Sequence, residues 1–322
     1  MFEGEPVNIP EGQTISMHSE KPDKIVIAGG TGFLGASLIS KFKDAELVVL
    51  SRSRSGQHGN VSYVLWDAEH AGDWTKELEG AKAIINLVGK SVNCRYTDAN
   101  KAEIINSRVN ATLAIGEAIQ SLQHPPEVWI NAGSAAIFGD SGAEAKDESS
   151  ATGQGFSPEV CKAWEKAFNA YYTPKTRKVF LRIGMVLQKE GGIIKPFMNL
   201  VKLGLGGRIG SGKQYMTWIH EADFQELVSW AINEPQAEGI IHAASPNPVT
   251  NTEFMKAIRT AAGIGFGLPN PAFLIRIGAI FIGTEAELVL SGRRVISTFL
   301  VQKGFKFKYP YLHGALDQLI SK

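Results

Sequence analysis

Three glycines near the beginning of the chain have a spacing that suits the binding of a phosphate group. Gly29, Gly32 and Gly35 follow the apolar residues 25–27, and apolar residues at helical spacing come after them. A strand, a glycine turn and a helix in this order place backbone N–H groups at the positive end of the helix, where a pyrophosphate binds. We expect Gly29 to allow the tight turn, Gly32 to let the phosphates approach, and Gly35 to let the helix pack on the strand.

The end of the second predicted strand indicates which dinucleotide would bind. It carries Ser51 and Arg52, at the place where an acidic residue would hold the ribose 2′-hydroxyl of NAD. A hydroxyl and a guanidinium suit a 2′-phosphate, so the sequence favours NADP(H) over NAD. Alternatively, Arg52 and Arg54 are solvated loop cations. Asp67, after the third predicted strand, either accepts a hydrogen bond from the adenine amino group or is a turn residue.

The elements that must position these residues alternate along the chain. Further strands are predicted at residues 81–89, 127–134, 178–187 and 239–245, with a long helix from about Asp98 to Leu122. Apolar strands that alternate with helices indicate an α/β fold with a doubly wound parallel sheet, a Rossmann fold, covered on both faces. Ligands of such sheets bind beyond the carboxyl ends of the strands.

The domain organisation follows from composition. Residues 1–22 are polar and lack the pattern of a signal peptide, so we interpret them as an N-terminal extension. Residues 23–250 are predicted to form the dinucleotide-binding domain, with residues 191–220 contributing to a smaller, substrate-side lobe. Residues 251–322 are predicted to form a small C-terminal domain. Its most apolar stretch, residues 273–283, is too short to span a bilayer, and we expect a buried helix there.

The bulk composition disfavours several classes of function. The chain has 322 residues, 44% of them hydrophobic, and a formal net charge of +1. No strong electrostatic field therefore favours nucleic acid or a membrane surface. The only two cysteines, Cys94 and Cys161, form no CxxC pair and no metal-ligand cluster. We expect no metal and a reducing, cytoplasmic compartment.

The fourth predicted strand, ending in Asn86 to Gly89, and three later stretches carry a family resemblance. The stretches are RYTDANKAEIINSRVNAT (95–112), GSGKQYMTWIHEADF (210–224) and GRRVISTFLVQKGFKFKYPYLHGAL (292–316). The chain resembles the extended short-chain dehydrogenase/reductase superfamily, and within it the atypical branch of NAD(P)-dependent epimerase-family proteins with a small C-terminal domain of unknown function. The resemblance covers nearly all of residues 24–320. By analogy with the superfamily, the long helix could pair two chains in a homodimer.

The resemblance implies further cofactor contacts. Arg108 is similar to an arginine of this branch that follows a serine and reaches the cofactor; alternatively, it pairs with an acid on its own helix. The other implied contacts lie in the glycine turn, after the fourth strand and after the sixth strand: Thr31, Phe33, Leu34, Leu87, Val88, Gly89, Arg182, Gly184 and Val186.

The resemblance also places a candidate catalytic serine. Residues 133–139, GSAAIFG, match the superfamily pattern SSxxVYG, and Ser134 takes the serine position. Its hydroxyl could hold a substrate carbonyl or hydroxyl. Alternatively, Ser134 is a turn serine that caps its own backbone.

The tyrosine and lysine that usually accompany this serine are missing. The superfamily uses YxxxK, in which the tyrosine exchanges a proton with the substrate and the lysine lowers the tyrosine pKa. Counting back from the matching helix acid Glu165, the tyrosine position holds Ser157 and the lysine position holds Cys161. Tyr171 and Lys175 have the right spacing, but Pro174 breaks the helix that would align them. Residues 207–213, GRIGSGK, are interpreted as a substrate-lobe turn rather than a phosphate loop.

Several polar residues could replace the missing base. Arg95, Tyr96, Trp218 and His220 are the substrate-side candidates, and Lys162 and Asp223 are further polar ones. A histidine could titrate near neutral pH, although a structural contact between His220 and Asp223 is the favoured interpretation. Cys161 is either a reactive thiol or, as favoured, a small buried core residue.

These features favour an NADP(H)-dependent oxidoreductase or epimerase-like enzyme that acts on a small polar molecule without the usual Tyr/Lys pair. The alternative is a non-catalytic, NADP(H)-binding redox sensor that kept the cofactor site and lost the base.

Overall fold

Strands and helices alternate along the chain as the apolar pattern predicts. The computed structural model describes residues 22–189 and 191–320, so all but the last residue of the expected extension at residues 1–22 lies outside the described residues. The described strands are, in chain order, β1 (Lys24–Ala28), β2 (Glu46–Ser51), β3 (Gly56–His58), β4 (Val61–Leu65), β5 (Ala83–Asn86), β6 (Val128–Ser134), β7 (Ala145–Lys146), β8 (Arg177–Ile183), β9 (Met185–Leu187), β10 (Tyr215–Met216), β11 (Trp218–His220), β12 (Gly239–Ala243), β13 (Val249–Thr250) and β14 (Arg294–Val295).

The helices cover and connect these strands. Within the described ranges they are α1 (Phe33–Lys41), α2 (Asp98–Ser121), α3 (Phe156–Phe168), α4 (Ile194–Lys202), α5 (Glu221–Asn233), α6 (Asn251–Ala261), α7 (Ala272–Phe281), α8 (Glu287–Leu290), α9 (Thr298–Gln302) and α10 (Leu312–Ile320). Two short 3₁₀ helices, Asp73–Leu78 and Ala135–Phe138, complete the described elements.

The central sheet has eight strands in the order β12-β8-β6-β5-β1-β2-β4-β3. All neighbouring strands are parallel except the edge pair β3 and β4. Strand order reverses between β1 and β5, and a doubly wound sheet binds its ligands in the crevice at such a point. The expected doubly wound α/β fold is therefore confirmed, and the carboxyl ends of β1, β5 and β6 are where the site should lie.

The predicted sixth strand, residues 178–187, is in fact two strands. Gly184 separates β8 from β9, and its N–H donates to the carbonyl oxygen of Ala243 at 3.1 Å. A Cβ at Gly184 would lie 2.9 Å from Cγ2 of Thr217, so the residue must be small where the chain leaves the sheet. Strand β9 then pairs with β11 outside the central sheet.

A second core lies beside the sheet. Helices α4, α6 and α10 pack together around the buried side chains of Phe197, Phe254 and Leu316, with Trp218 of β11 in the same cluster. The chain after β14 returns to the first core, because Leu300 is buried there and Trp230 packs edge-on against Phe299 and Phe305. The C-terminal region thus contributes to both cores.

The apolar stretch at residues 273–283 forms α7, but the expectation that this helix is buried is wrong. Phe273, Ile280 and Phe281 are 60%, 64% and 85% exposed, and only Ala279 of the helix is buried. The reason is positional: α7 lies beside the second core, against which Ile275 packs, and most of its surface has no covering layer among the described residues. None of the helices in residues 22–189 and 191–320 combines the length and apolar character needed to cross a membrane.

Candidate functional site

The glycine turn between β1 and α1 forms a cradle, and each glycine has a separate geometric reason. Gly29 has a φ of +80°, and a Cβ on it would lie 3.0 Å from the carbonyl carbon of Leu87. A Cβ at Gly35 would lie 2.4 Å from Cα of Gly30, so α1 could not pack this closely with a larger residue. Gly32 is exposed and a Cβ there would meet only the Gly29 carbonyl oxygen, which leaves open space above the turn.

The amino end of α1 is free to bind an anion. Gly32 is the N-cap, no side chain caps the helix, and the first turn carries no acidic residue. The first intrahelical bond is donated by Ala36 to Gly32, so the N–H groups of Phe33, Leu34 and Gly35 have no partner in the helix. Thr31 is exposed beside them. These groups have the arrangement that holds a pyrophosphate.

The loop after β2 presents a free arginine. Ser51 is buried, and its Oγ accepts hydrogen bonds from the N–H groups of Ser53 at 3.3 Å and Arg54 at 3.1 Å. Arg52 is exposed and, among the described residues, has no acidic partner. Arg54 instead lies 5.9 Å from the ring of Tyr63. Ser51 thus shapes the loop while Arg52 is available for a ligand.

Asp67 is a turn residue in this structure. Its Oδ1 accepts from the N–H groups of Glu69 at 2.8 Å and His70 at 2.9 Å, and its Oδ2 lies 2.7 Å from Nδ1 of His70. These backbone bonds lower the pKa of Asp67 to about 2. Of the two interpretations left open by the sequence, the turn is the one with visible contacts.

A buried network of polar side chains, which the sequence analysis missed, supports the loop after β5, beside the cradle. Nδ2 of Asn86 donates to Asn131 at 2.7 Å and to Thr112 at 3.1 Å, and its Oδ1 accepts from the N–H of Val88 at 3.1 Å. Trp164 donates to Oγ1 of Thr112 at 3.0 Å. The network fixes the loop of Leu87, Val88 and Gly89, and its sequence signal is an asparagine in each of two apolar strands, at the end of β5 and in the middle of β6.

Arg108 lies between the loop at Gly89, beside the cradle, and a cleft. A Cβ at Gly89 would lie 3.0 Å from its Cζ, its Nη1 donates to the Ile104 carbonyl at 2.9 Å, and its guanidinium lies 5.1 Å from the Trp164 ring. It forms no ion pair with an acid on its own helix, which contradicts the alternative interpretation. Burial lowers the pKa of Arg108.

Two adjoining cavities form the cleft, at the carboxyl ends of β6 and β8. Their free volumes are about 150 and 170 Å³. Both are lined by the same five residues, Ser134, Ala136, Leu288, Ser291 and Arg293. The first cavity extends to Gly184 and Thr217. The second extends under α3 and α8 and is also lined by Tyr96, Arg108, Ser157, Cys161, Trp164 and Glu287.

Ser134 combines both roles that the sequence left open. Its Oγ accepts a hydrogen bond from the N–H of Ala136 at 3.1 Å and so caps the short 3₁₀ helix. The same hydroxyl lines both cavities. Because the cap uses only the oxygen lone pair, the proton of Ser134 remains free to be donated into the cleft.

Ser157 and Cys161 face the cleft from one side of α3. They lie four residues apart on the helix and line the same cavity as Ser134. Burial raises the pKa of the Cys161 thiol to about 12, so it stays protonated at neutral pH. This favours the interpretation of Cys161 as a buried core residue and not as a reactive thiol.

Arg182 does not lie in a loop after the sixth strand, as expected. It is 4% exposed at the end of β8, and its Nε and Nη2 donate to Oε1 and Oε2 of Glu165 at 2.7 and 3.0 Å. The pair ties β8 to α3 behind the cleft. Of its predicted neighbours, Gly184 lines the first cavity, whereas Val186 is buried in β9 and does not.

Arg95 and Tyr96 form a bridge over the cleft. Arg95 donates to the Thr284 carbonyl at 3.0 Å and lies 3.3 Å from Oε1 of Glu285, which also accepts from the N–H of Tyr96 at 2.9 Å. The Tyr96 ring packs against Phe156 of α3 at 4.8 Å. Its buried hydroxyl lies beside Ser157 but makes no well-formed hydrogen bond to the described residues, and burial raises the pKa of Tyr96. Arg95 thus has a structural role, since it attaches its loop to Thr284 and Glu285, whereas Tyr96 lines the cleft.

Trp218 and His220 are wrongly predicted as substrate contacts. Trp218 is fully buried and donates to the Asn247 carbonyl at 3.1 Å. His220 is 3% exposed: its Nδ1 accepts from the N–H of Ala222, its Nε2 lies 2.9 Å from Oε1 of Gln318, and its ring stacks 4.0 Å from Tyr309. Neither lines the cleft.

The remaining polar candidates are structural as well. Asp223 accepts hydrogen bonds from the N–H groups of Lys308 at 2.6 Å and Tyr309 at 3.0 Å rather than from His220. Lys162 is exposed and donates to the Gly153 carbonyl at 2.7 Å. The His220–Asp223 contact favoured above is therefore replaced by two separate attachments of the C-terminal tail.

Two motif-like features, the pair Tyr171 and Lys175 and the loop at residues 207–213, do not line the cleft. Tyr171 and Lys175 follow the end of α3, just before the amino end of β8, at the edge of the sheet opposite the site. Tyr171 packs on Gly116 of α2, and Nζ of Lys175 points to the Gln123 carbonyl at 3.4 Å. In the loop at residues 207–213, carbonyl oxygens of Gly210 and Ser211 accept from Arg208, so the loop closes on itself.

Two family models match the chain. The first, the NAD dependent epimerase/dehydratase family, matches residues 25–243. The second, a domain of unknown function (DUF1731), matches residues 270–319. The boundary between them falls in the region that contributes α6 to the second core.

Similar proteins extend over almost the whole chain. The epimerase family protein YfhF of Bacillus subtilis is 33% identical over 302 residues, which cover 92% of this chain and 98% of that protein. The crystal structure of human epimerase family protein SDR39U1 (isoform 2) with NADPH has a TM-score of 0.82 at 28% identity, covering 92% of this chain and 99% of that one.

A UDP-N-acetylglucosamine 4-epimerase from Bacillus cereus has a TM-score of 0.72 at 17% identity, covering 92% and 97% of the two chains, and this likeness concerns the fold alone. The resemblance to the extended short-chain dehydrogenase/reductase superfamily is thereby confirmed. On the first family match and the cradle and cleft described above, the chain belongs to the NAD dependent epimerase/dehydratase family, with a C-terminal domain of unknown function.

Proposed function

We propose that this protein is an NADP(H)-dependent oxidoreductase or epimerase-like enzyme acting on a small polar molecule. The observation that carries the proposal is the cradle at Gly29, Gly32 and Gly35, with the cleft that begins at Ser134 on the same edge of the sheet. The human relative whose crystal structure contains NADPH supports the choice of cofactor.

The residues of the cradle fit a dinucleotide. The free N–H groups of Phe33, Leu34 and Gly35 would hold the pyrophosphate, and the open space at Gly32 admits it. Arg52, exposed and without an acidic partner among the described residues, would hold the 2′-phosphate of NADP(H). Arg108 would hold the part of the cofactor nearest the cleft, because it touches both Gly89 and the second cavity.

The cleft supplies the substrate side of the reaction. When bound, the nicotinamide supplies a hydride donor or acceptor. Ser134 would hold the reacting carbonyl or hydroxyl oxygen of the substrate with its free proton. Tyr96 would be the proton donor, since its buried hydroxyl lies in the same cavity, beside Ser157, and the raised pKa keeps it protonated at neutral pH.

A specific observation favours the second candidate, a non-catalytic NADP(H)-binding redox sensor. Ser157 and Cys161 occupy the face of α3 where the superfamily would place its tyrosine and lysine, and both line the cleft. A thiol with a pKa of about 12 cannot act as a base at neutral pH. If neither Tyr96 nor the exposed Glu287 transfers a proton, the cleft has no acid–base group suited to neutral pH among the described residues that line it.

Two measurements test these functions in order. Calorimetric titration with NADPH and NADH should give tighter binding of NADPH; equal affinities would contradict the assignment of Arg52. NADPH oxidation should then depend on an added carbonyl compound and be lost on the order of 10²-fold or more in Tyr96→Phe. Tight NADPH binding without turnover on any compound of a broad carbonyl panel would favour the sensor.

A further inference from the structure

The arginine that lines both halves of the cleft has no counter-charge. Arg293 lies just before β14 and is half-buried, and the one hydrogen bond of its side chain to the described residues runs from Nη2 to Oγ of Ser291 at the long distance of 3.4 Å. Among the described residues it forms no ion pair. A guanidinium that is partly withdrawn from water and has no counter-charge costs free energy, so its retention calls for an explanation.

Two other arginines that are at least partly buried have several protein partners each. Arg182 makes a two-pronged pair with Glu165, at 2.7 and 3.0 Å. Arg177 donates to three backbone carbonyl oxygens, those of Ala231, Ile232 and Ala237. Arg293 is different from both because its side chain has only the long bond to Ser291 and the residue lines the open volume of the cleft.

The charged and titratable groups around Arg293 do not neutralise it. Cys161, on α3, has a pKa raised to about 12 by burial and stays a neutral thiol. Asp140 is exposed, and its Oδ1 accepts from the N–H of Gly292 at 3.3 Å. Glu287 of α8 lines the second cavity but is exposed to solvent, so it is screened. Arg108, in the same cavity, adds a second positive charge.

The backbone holds Arg293 in a fixed position. Its N–H donates to the Tyr215 carbonyl at 3.1 Å, and its carbonyl oxygen accepts from Oγ1 of Thr217 at 2.6 Å. The adjacent Gly292 is packed so closely that a Cβ there would lie 2.5 Å from the Tyr215 nitrogen. A rigid backbone behind a free guanidinium is the arrangement of a preorganised anion site.

We propose that Arg293 binds an anionic group of the substrate, a carboxylate or a phosphate, while Ser134 holds the reacting oxygen of the same molecule. This substrate class rests on the proposed function and narrows it from a small polar molecule to a small acid. Both residues line both cavities, whose volumes fall at or below the low end of small-molecule sites, roughly 300–1,000 Å³. The C-terminal region thus supplies the specificity-determining charge of the cleft.

The neighbouring arginine provides a matched control. Arg294 is exposed, and its guanidinium lies 5.5 Å from the ring of Tyr215. Arg293→Gln and Arg294→Gln each remove one positive charge at adjacent positions, so the overall charge of the two variants is the same. Only the first removes the charge from the cleft.

Ligand-observed NMR titrations of the NADPH-loaded protein test the proposal with three probes: lactate, its neutral isostere lactamide, and inorganic phosphate. We expect at least one anion to bind about 10-fold or more tightly than lactamide, and Arg293→Gln to weaken that anion about 10- to 100-fold while Arg294→Gln does not. Comparison of lactate with phosphate identifies which anion the site takes. Arg293→Lys keeps the charge without the planar fork and should give an intermediate loss, including if the glutamine variant does not fold.

Several outcomes overturn the proposal. They are anion affinity that is unchanged in Arg293→Gln, equally reduced in Arg294→Gln, or no greater than that of lactamide in the folded wild type. Failure of NADPH binding would instead refute the proposed function. The same titrations on the protein without NADPH would then still decide whether Arg293 binds an anion.

Discussion

The cofactor cradle and the substrate cleft lie on the same edge of the sheet but are built differently. The cradle consists mainly of backbone groups from one continuous segment, in which Gly29, Gly32 and Gly35 make room for the backbone N–H groups at the start of α1. The cleft consists mainly of side chains from several separate segments, among them Ser134, Cys161 and Arg293. A site made of backbone is determined locally, whereas a site made of side chains depends on how remote elements pack.

The difference also extends to which residues can change. Glycine sterics leave the cradle few alternatives, because a Cβ at Gly35 would overlap the backbone of Gly30. In the cleft, Ser157 and Cys161, which the resemblance places at the positions of two larger polar residues, lie on α3, a regular helix of 13 residues. This contrast explains how the chemistry of the cleft can change while the cofactor site stays the same.

The largest expected effect is on the cradle. Gly32→Val should lower NADPH affinity by more than about 100-fold, which corresponds to about 2.8 kcal/mol, because the side chain fills the open space where the phosphates approach. The fold should persist, since a Cβ at Gly32 meets only the Gly29 carbonyl oxygen, at 3.3 Å. Fluorescence titration with circular dichroism measures both.

Gly265→Val is the control for this variant, because Gly265 has open space around it. It should bind NADPH like the wild type. A folded Gly32→Val protein with wild-type affinity would mean that the glycines serve packing alone and would remove the contrast between cradle and cleft.

The second effect concerns Arg52, the side chain to which we assign the choice of cofactor. Arg52→Ala should weaken NADPH binding by about 1.5–3 kcal/mol, the range for a hydrogen bond to a charged group, and leave NADH binding unchanged. Arg54→Ala is the matched control, because Arg54 lies against Tyr63 instead. Equal losses of NADPH affinity in the two variants, or a loss of NADH affinity as well, would mean that the effect comes from the overall charge of the loop and not from a contact with the 2′-phosphate.

The sequence predicts the cradle well because its requirements are local. Gly29 is required because its φ is positive, and Gly35 is required because α1 packs closely on the turn. Both requirements lie within a single strand–turn–helix unit, so the spacing of the glycines alone identifies them. The alternation of parallel strands with helices is predicted similarly from apolar runs. The break at Gly184 was missed because it depends on Thr217, a residue from another segment.

The cleft could be predicted only in part, for the same physical reason. Ser134 is found through a motif, but nothing near Arg293 in sequence indicates that its side chain would reach the same cavity. The apolar run of α7 is mistaken for core because hydrophobicity does not state what packs on it. His220 has a residue type suited to catalysis, yet its contacts fasten the C-terminal tail.

A smaller effect, a loss of folding stability, is expected at His220 as the pH falls. Nδ1 of His220 accepts from the N–H of Ala222 at the start of α5, so the ring must be neutral, and burial lowers the pKa of His220 below its ordinary value of 6.5. Below pH 6.5 the unfolded chain takes up the proton first, and stability is lost as the pH falls. Asp223, Glu221 and Lys308 surround the ring; the two acids oppose the shift and the lysine adds to it.

His220→Asn keeps a cap acceptor but does not titrate. Urea unfolding at pH 7 and pH 5 should therefore show a stability loss about 1 kcal/mol larger for the wild type than for this variant. Identical losses in both proteins would show that His220 is not the acid-sensitive group and that the tail attachment behind the cleft is held by other contacts.

The smallest effect is expected at Cys161, where the prediction is a lack of reaction. A pKa of about 12, against an ordinary value of 9, leaves a thiolate fraction on the order of 10³-fold lower than that of an unperturbed thiol at pH 8. Cys94, which is only half-buried, serves as the internal control. Alkylation with iodoacetamide at pH 8, followed by peptide mass spectrometry, should label Cys94 first and Cys161 only after denaturant is added. Labelling of both thiols at similar rates in the folded protein would show that Cys161 is ionised in the cleft. The cleft would then contain a nucleophile and a possible counter-charge for Arg293, and the contrast between a determined cradle and a cleft without its usual base would have to be revised.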